Sequence, residues 1–232
     1  MMNLLSMDTS TKRLSLAVSR DEDVIKFRNM ELKRPLSSSI MPGIKKILSD
    51  ARMPLEKVDG FAIGLGPGSF TSLRVGLSTV KGLAFALRKP VVGIPSLDIL
   101  AMNVPENHAQ ICALCDAKRH LAYACVFDKR EGILRKKTGY LLASVQDVLK
   151  KIKGDVLFVG DGIEMFRSDI LQVKDIRPKF ADPEYAFPSA RALAFLALMR
   201  FREGKCDHID RLIPLYLYPD HCQIKSTEGC PA

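Results

Sequence analysis

The chain has 232 residues, of which 47% are hydrophobic and 26% are charged, and its formal net charge is +9 at pH 7. This length and apolar content support one large domain or two small lobes, and they exclude a disordered or fibrous protein. The longest apolar stretches, such as 192–199, are far too short to cross a bilayer, and Asp8 interrupts the apolar N-terminus before a signal-peptide core forms. We therefore expect a cytoplasmic protein that makes no membrane contact.

The first predicted element is a β-hairpin that turns on an aspartate. Residues 4–7 form an apolar strand, residues 8–10 (Asp-Thr-Ser) make the turn, and a second apolar strand covers 14–18. A polar turn and a third short strand follow. A long helix is then expected over 36–51, because its isoleucines recur every three or four residues and share one face.

A glycine-rich turn joins the next strand to another long helix. The apolar run 58–65 predicts a buried strand, and the residues after it, 66–71, read Gly-Pro-Gly-Ser-Phe-Thr. A helical pattern covers 69–88, with Ser69 or Thr71 as the expected cap. Free amides and the positive end of the helix dipole make such a turn an anion site. A purely steric turn, in which only glycine fits, explains the same residues. The turn alone does not establish nucleotide binding.

Apolar side chains on these two helices predict a surface for a partner. Those of the second helix recur at alternating steps of three and four, which is typical of a packing seam between helices. Two such neighbouring helices would supply half of a four-helix bundle. The predicted interface residues are Ile40, Ile44, Ile47, Phe70, Leu73, Gly76, Leu77 and Val80. The alternative is that both stripes cover the chain's own sheet.

The segment from residue 111 onward repeats the organisation of the N-terminus. Strands at 111–115 and 121–127 flank a turn on Asp116, and a third short strand follows. A helix of about three turns is then expected over 145–152, and a further strand ends at Gly160. This duplicated order is the organisation of the actin, Hsp70 and sugar-kinase (ASKHA) superfamily. We therefore predict an α/β protein of ribonuclease H-like fold with two lobes built on mixed sheets.

The duplication places the lobe boundary near residue 104. The first lobe, 1–104, carries the two helices predicted to bind a partner, and the second lobe, 105–232, is a reduced copy. The apolar helix predicted near 188–203 is expected to pack back on the first lobe.

The two aspartate turns form the candidate nucleotide site. Phosphoryl transfer on this fold requires carboxylates that hold magnesium and hairpins that cradle phosphate in both lobes. Asp8, Thr9, Ser10 and Asp116 would face one another across a cleft and bind ATP or ADP weakly, but the second turn lacks a glycine for close approach to phosphate. The alternative is that both aspartates cap their own hairpins. We expect a vestigial site, no required cofactor and no catalysis by the chain alone.

Other catalytic groups are sparse in the sequence. Cys112 and Cys115 form a CxxC, but they lie in a predicted strand rather than at a helix start, which favours buried thiols. The histidines never stand four residues apart on a helix, so no metal site is predicted. Ser69 has no evident base to activate it. An ATP-dependent small-molecule kinase and a degenerate glycoprotease-like protein remain the alternative functions.

Six short segments carry recognisable motifs: 8–10, 66–76, 81–84, 93–97, 116–119 and 214–217. Together they resemble the TsaB family, also called YeaZ, over nearly the whole chain. The resemblance implies a non-catalytic subunit of the bacterial machinery that installs threonylcarbamoyl on the adenosine beside the anticodon of certain tRNAs. It also implies a TsaD-like catalytic subunit and a TsaE-like ATPase as partners, and tRNA bound through the complex. The apolar helices over 36–51 and 69–88 predict a homodimer as a further assembly.

Three positions depart from the pattern of that family. Ser72 stands where glycine is usual, which is a mild change in the first turn of a helix. Leu36 stands where a histidine is common, so no remnant of a metal-binding helix is left. Tyr218 stands where arginine is frequent, so a specific carboxylate or phosphate contact near the end of the chain is not expected.

The basic residues of the second half suggest contact with an acidic partner. Turns around Arg119, Lys129, Arg130, Lys136 and Lys137 would add salt-sensitive contact with tRNA. Ordinary solvated turn charge explains them equally well, because no aromatic residues interleave them in the sequence as a base-stacking surface requires.

Overall fold

The computed structural model describes residues 1–105 and 108–217. Its strands and α-helices form two similar sets of elements, each built around a mixed β-sheet. In chain order they are β1 (Asn3–Asp8), β2 (Arg13–Arg20), β3 (Asp23–Glu31), α1 (Leu36–Asp50), β4 (Gly60–Gly64), α2 (Phe70–Leu87), β5 (Val91–Ile94), α3 (Ser96–Asn103), β6 (His108–Asp116), β7 (Leu121–Arg130), β8 (Ile133–Lys136), β9 (Leu141–Ser144), α4 (Val145–Leu149), β10 (Gly154–Val159), α5 (Gly162–Leu171), β11 (Ile176–Phe180) and α6 (Ala190–Arg202).

The first sheet has the strand order β3-β2-β1-β4-β5, in which β1 runs antiparallel to β2 and parallel to β4. Successive side chains of a strand point to opposite faces, so neighbouring leucines of β1 enter different cores. Leu5 packs with α1 and α2 on one face, and Leu4 packs with α6 on the other. Helices therefore cover both faces of this sheet.

The second sheet has the order β11-β10-β6-β7-β8, with β9 paired to β7 beside β8. Cys112 and Leu114 of β6 pack with α4 and α5, whereas Ile111 and Ala113 pack with α3 on the opposite face. Helices α3 and α6 contact each other. They form the layer that joins the two sheets, with α6 against the first sheet and α3 against the second.

This architecture confirms the predicted duplicated α/β fold with two mixed sheets. The helix predicted over 145–152 is shorter than expected, because α4 ends at Leu149 and the chain turns there, with the Lys151 amide bonded to the Val148 carbonyl. Strand β9 was not predicted, because its residues do not alternate between apolar and polar.

Two further predictions concern particular positions. Ser69 precedes α2 as expected, but its hydroxyl contacts the Ser72 hydroxyl at 3.1 Å and caps no amide. Thr71, the other expected cap, lies inside the helix, so the predicted side-chain cap is wrong. Tyr218 lies outside the described residues.

Among residues 1–105 and 108–217, no helix is long and apolar enough to span a membrane.

Candidate functional site

The Asp8 turn lies at the end of β1, near the centre of the first sheet. The Asp8 carboxylate is buried: Oδ1 accepts hydrogen bonds from the Ser10 amide at 2.9 Å and the Ser10 hydroxyl at 2.7 Å. Oδ2 accepts a bond from the Ser96 hydroxyl at 2.8 Å. Thr9 is also buried, and its hydroxyl donates to the Ser72 carbonyl at 3.0 Å. The polar side chains of this turn are therefore bonded to the protein itself.

The glycine-rich turn between β4 and α2 packs directly on the Asp8 turn. The Ser69 amide donates to the Ser10 carbonyl at 2.8 Å, and the Gly66 amide donates to the Ser96 hydroxyl at 3.1 Å. A Cβ atom at Gly68 would lie 2.1 Å from the Ser10 carbonyl oxygen, so only glycine fits there. Two amides expected to bind an anion are thus used within the protein, which favours the steric interpretation of this turn.

The Asp116 turn lies at the end of β6, in the equivalent place of the second sheet. Asp116 Oδ1 accepts a hydrogen bond from the Lys118 amide at 2.7 Å, and Oδ2 pairs with the exposed Lys118 ammonium. The Asp116 amide donates to Asp161 Oδ1 at 3.2 Å. Gly160 has a positive φ of 128°, and a Cβ atom there would lie 2.1 Å from the Leu114 carbonyl oxygen, so glycine is required next to Asp161.

A cavity of about 300 Å³ separates the two turns. Its walls include Ser10, Gly68, Asp116, Lys118 and Asp161, so both lobes contribute to it. The predicted residues Ser10 and Asp116 thus reach one cleft, while the Asp8 carboxylate is buried behind Ser10 and Ser96.

The carboxyl groups around the cleft differ in their titration. Burial raises the pKa of Asp8, although hydrogen bonds from Ser10 and Ser96 act in the opposite direction. Burial also raises the pKa of Asp161. For Asp116, burial acts to raise the pKa, but hydrogen bonds and charge from Lys118 outweigh it and hold the pKa below its usual value. The cleft wall therefore contains one carboxylate stabilised in its charged form, Asp116, and one that burial shifts toward protonation, Asp161. Burial shifts Asp8, behind the wall, in the same direction as Asp161.

Thiol and metal chemistry have little support in the described part of the chain. Cys112 is buried, and burial raises its pKa to about 12. Burial also raises the pKa of the half-buried Cys115 well above that of a free thiol, with nearby Asp161 acting in the same direction. Such thiols are poor nucleophiles at neutral pH. Residues 1–105 and 108–217 contain no group of three or more His, Cys, Asp or Glu side chains that could hold a metal ion.

The side chains predicted to form a partner interface lie mostly inside the protein. Seven of the eight are buried, and only Phe70 is exposed. Their stripes cover the chain's own first sheet, which corrects their assignment to a surface. A Cβ atom at Gly76 would lie 2.2 Å from Thr9 Oγ1, so this glycine permits contact with the Asp8 turn and not with a second helix. The buried residues are Ile40, Ile44, Ile47, Leu73, Gly76, Leu77 and Val80.

The basic turns of the second lobe are partly engaged within the protein. Lys129 is buried, and its ammonium group donates to the Val104 carbonyl at the end of α3, so it does not belong to an exposed basic surface. Arg130 pairs with Asp128 at 3.1 Å, and Lys136 Nζ lies 3.0 Å from the Tyr140 hydroxyl.

Sequence reasoning missed two members of the cleft. Ser96 stands 88 residues from its partner Asp8 and was noted only as part of a motif, and Asp161 was noted only as part of a short glycine segment. The sequence does contain a signal for Asp161: the duplication aligns the end of β10, next to Asp161, with the end of β4, next to the glycine-rich turn. Ser96 carries no comparable signal, since the contact depends on how α3 leaves β5.

These features define a two-lobed α/β protein of the actin and sugar-kinase type with a reduced cleft between the lobes. A family model described as TsaD, tRNA N6-adenosine threonylcarbamoyltransferase, matches residues 30–225. The chain belongs to this family, and within it to the TsaB/YeaZ group.

Relatives and solved structures agree with that membership. The chain is 28% identical to the tRNA threonylcarbamoyladenosine biosynthesis protein TsaB of Bacillus subtilis, covering 98% of this chain and 99% of the relative. It is 28% identical to the TsaB protein of Escherichia coli, covering 93% and 94%. YeaZ from Pseudomonas aeruginosa superposes with a TM-score of 0.81 at 26% identity, covering 94% of this chain and all of that one.

A more distant neighbour extends the likeness of the fold. An activator of 2-hydroxyisocaproyl-CoA dehydratase from Clostridium difficile has a TM-score of 0.52 at 11% identity, covering 88% of this chain and 96% of that one. At that level of identity the two proteins share a fold, and the likeness says nothing about a shared ligand.

Proposed function

We propose that the chain is a non-catalytic subunit of the machinery that makes threonylcarbamoyladenosine in tRNA. It binds a TsaD-like catalytic subunit, works beside a TsaE-like ATPase, and supports transfer of threonylcarbamoyl to the adenosine next to the anticodon. The likeness to TsaB proteins over nearly the whole chain supports this role. A tRNA substrate would place the protein in the cytoplasm.

The observation that carries the non-catalytic part of the proposal is the bonding of the Asp8 turn. A magnesium-binding carboxylate needs free oxygen lone pairs that face the nucleotide. Both Asp8 oxygens instead accept bonds from Ser10 and Ser96, and the Gly68 turn lies against the same place. The first lobe thus keeps the topology of a phosphate site while its groups stabilise the fold. No cofactor is required in this proposal, and ATP or ADP binds weakly.

A small-molecule kinase remains the second candidate because a cavity lies beside Asp116 and Lys118. Calorimetry with ATP and magnesium separates the two proposals. We expect binding no tighter than the millimolar range and no hydrolysis. Tight binding that Asp116→Ala abolishes, with the fold intact by circular dichroism, would favour the kinase.

The exposed sides of α1 and α2 are the proposed docking surface for the TsaD-like subunit. This α1–α2 face comprises Met41, Ser78, Gly82 and Phe85, which point away from the buried stripes. Phe85 is 79% exposed, and a Cβ atom at Gly82 would have no neighbour within 4 Å. Small residues beside an exposed aromatic ring let a second helix approach closely. A second copy of the chain would use the same face in a homodimer.

Gly82→Glu tests the α1–α2 face. Glutamate favours a helix more than glycine by about 0.5–1 kcal/mol, and open space surrounds Gly82, so the fold should be kept. We expect the variant to lose association with the TsaD-like subunit in sedimentation experiments. Gly139→Glu is the matched control, because a Cβ atom there also has no neighbour within 4 Å. Unchanged association of the Gly82 variant would reject this face.

Nucleoside mass spectrometry tests the function itself. Depletion of the protein from its host should remove threonylcarbamoyladenosine from bulk tRNA, and resupply should restore it only when a TsaD-like subunit is present. An unchanged level of the modified nucleoside after depletion would reject the proposal.

A further inference from the structure

A second cavity, of about 670 Å³, lies between the lobes and separate from the aspartate cleft. We call it the interlobe groove and define it by Arg13, Phe27, Lys129, Glu184, Arg191 and Phe195, which come from β2, β3, β7, the segment before α6, and α6. Its volume is within the range of about 300–1,000 Å³ that is usual for ligand pockets. None of these residues was a candidate for binding on the basis of the sequence pattern, apart from Lys129.

Both arginines of the groove stack on phenylalanine rings. Arg191 lies over the ring of Phe27 with its guanidinium carbon 4.3 Å from the ring centroid. Arg13 lies over the ring of Phe187 at 4.1 Å. Phe195 follows Arg191 by four residues, so both side chains share one face of α6, and the Phe195 ring is 40% exposed. The two members of each stacked pair are more than a hundred positions apart in the sequence, and the fold brings them together.

The framework that presents these side chains is fixed by hydrogen bonds. The Ala190 amide at the start of α6 donates to the Ser15 hydroxyl of β2 at 2.8 Å. Asn103 at the end of α3 donates from Nδ2 to the Phe187 carbonyl at 2.6 Å. These bonds hold α6 and the segment before it against the first lobe. The backbone that carries Phe187 and Arg191 is therefore held in place before a ligand arrives, which lowers the entropic cost of binding.

The charge of the groove favours an anion. Arg13, Lys129 and Arg191 are cationic, and Glu184 is the acidic residue in the wall. Lys129 is buried and bonded to carbonyl groups at the end of α3, so it contributes positive potential and not direct contact. The two arginines are the groups that would reach phosphate oxygens. Their planar guanidinium groups also offer faces on which a base can stack.

We propose that the interlobe groove binds single-stranded RNA. Unpaired bases stack on the exposed ring of Phe195 and on the arginine planes, while backbone phosphates contact Arg13 and Arg191. In a duplex the bases are stacked on one another and have no free face for Phe195. An acidic peptide would use the charges but not the stacking faces. That the RNA is tRNA rests on the proposed function, whereas the preference of the groove for unpaired RNA does not.

Fluorescence anisotropy with the whole chain tests this proposal. The probe is a labelled RNA of about ten nucleotides without self-complementarity, which matches the usual size of single-strand sites. Phe195→Ala should weaken binding about tenfold, because base stacking on an aromatic ring is lost. The double change Arg13→Gln and Arg191→Gln should reduce the slope of log affinity against log salt by about 1.4, or about 0.7 for each lost phosphate contact.

Two matched controls guard against general effects. Arg167 stacks on Phe180 at 4.1 Å outside the groove, so Arg167→Gln removes a similar pair and should leave RNA binding unchanged. Leu171→Ala removes an exposed apolar side chain at the end of α5 and should also have no effect. Circular dichroism and thermal unfolding confirm that each variant is folded.

Three results would overturn the proposal. The first is that a folded Phe195→Ala variant binds the RNA as tightly as the wild type does. The second is that the wild type binds the same RNA with equal affinity after it is annealed to its complement. The third is that polyglutamate displaces the RNA at a lower concentration than unlabelled RNA does. These outcomes are independent of the modification assay. Normal RNA binding with unchanged threonylcarbamoyladenosine after depletion would reject the proposed function and leave the groove assignment intact.

Discussion

The Asp8 and Asp116 turns occupy equivalent places in the two lobes and have opposite environments. Asp8 is buried and bonded to serines, whereas Asp116 is half-buried beside an exposed lysine. The connection after β4 is longer than the one after β10, and it folds back over the Asp8 turn, with the Ser69 amide bonded to the Ser10 carbonyl. A duplicated topology therefore does not produce duplicated chemistry, because different side chains meet the two aspartates: Ser10 and Ser96 enclose Asp8, whereas Asp116 pairs with an exposed lysine.

Gly68→Ala should have the largest effect on stability, because it pushes the glycine-rich turn away from the Asp8 turn on which it packs. The added methyl group would lie 2.1 Å from the Ser10 carbonyl oxygen, so the connection must move and lose the Ser69–Ser10 hydrogen bond. We expect a loss of about 4 kcal/mol in the free energy of unfolding, or roughly 8–16 °C in Tm. Thermal and urea unfolding measure it. Gly139→Ala is the control, and equal stability of the two variants would contradict the packing described here.

Asp8→Ala and Asp116→Ala compare the two turns directly. Removal of the Asp8 carboxylate leaves the Ser10 amide and the hydroxyls of Ser10 and Ser96 without their acceptor in a buried place. We expect a cost of about 2–3 kcal/mol. Asp116→Ala removes the ion pair with the exposed Lys118 ammonium and the hydrogen bond from the Lys118 amide. We expect this substitution to lower the free energy of unfolding by under about 1 kcal/mol. Urea unfolding gives both values, and a larger cost at Asp116 would reverse the interpretation of the two turns.

The pH dependence of stability should also differ between the turns, with a smaller effect. The pKa of Asp8 is raised by folding, so between its unfolded value near 3.9 and its folded value the native state holds more protons. The contribution of Asp8 to stability therefore decreases as pH rises through that window. The pKa of Asp116 is lowered, so its contribution is present above the unfolded pKa and is lost as pH falls through the folded pKa.

Asp8→Asn isolates the Asp8 contribution, since asparagine keeps a side-chain acceptor for Ser10. The stability of this variant relative to the wild type should increase between about pH 3 and about pH 7, as measured by urea unfolding at each pH. A difference that stays constant across that range would show that the Asp8 carboxyl titrates alike in the folded and unfolded chain.

The order of strands and helices could be predicted because each lobe has a clear apolar pattern and the pattern occurs twice. The two aspartate turns followed from the same pattern. The interface residues could not be placed correctly, because a stripe such as Ile40, Ile44 and Ile47 looks the same whether it faces the chain's own sheet or a partner. The interlobe groove was invisible in the sequence, since Arg13 and Phe187 meet only after both lobes have folded.

The central claim is that the chain supports tRNA modification through its α1–α2 face and not through chemistry in the cleft. Reconstitution with the TsaD-like subunit, the TsaE-like ATPase, ATP, a threonylcarbamoyl donor and tRNA tests it, with mass spectrometry of the modified nucleoside as the readout. We predict that Asp116→Ala supports wild-type product formation, whereas Gly82→Glu, which remains folded, supports none. Loss of product with a folded Asp116→Ala variant, together with normal product from Gly82→Glu, would contradict the claim.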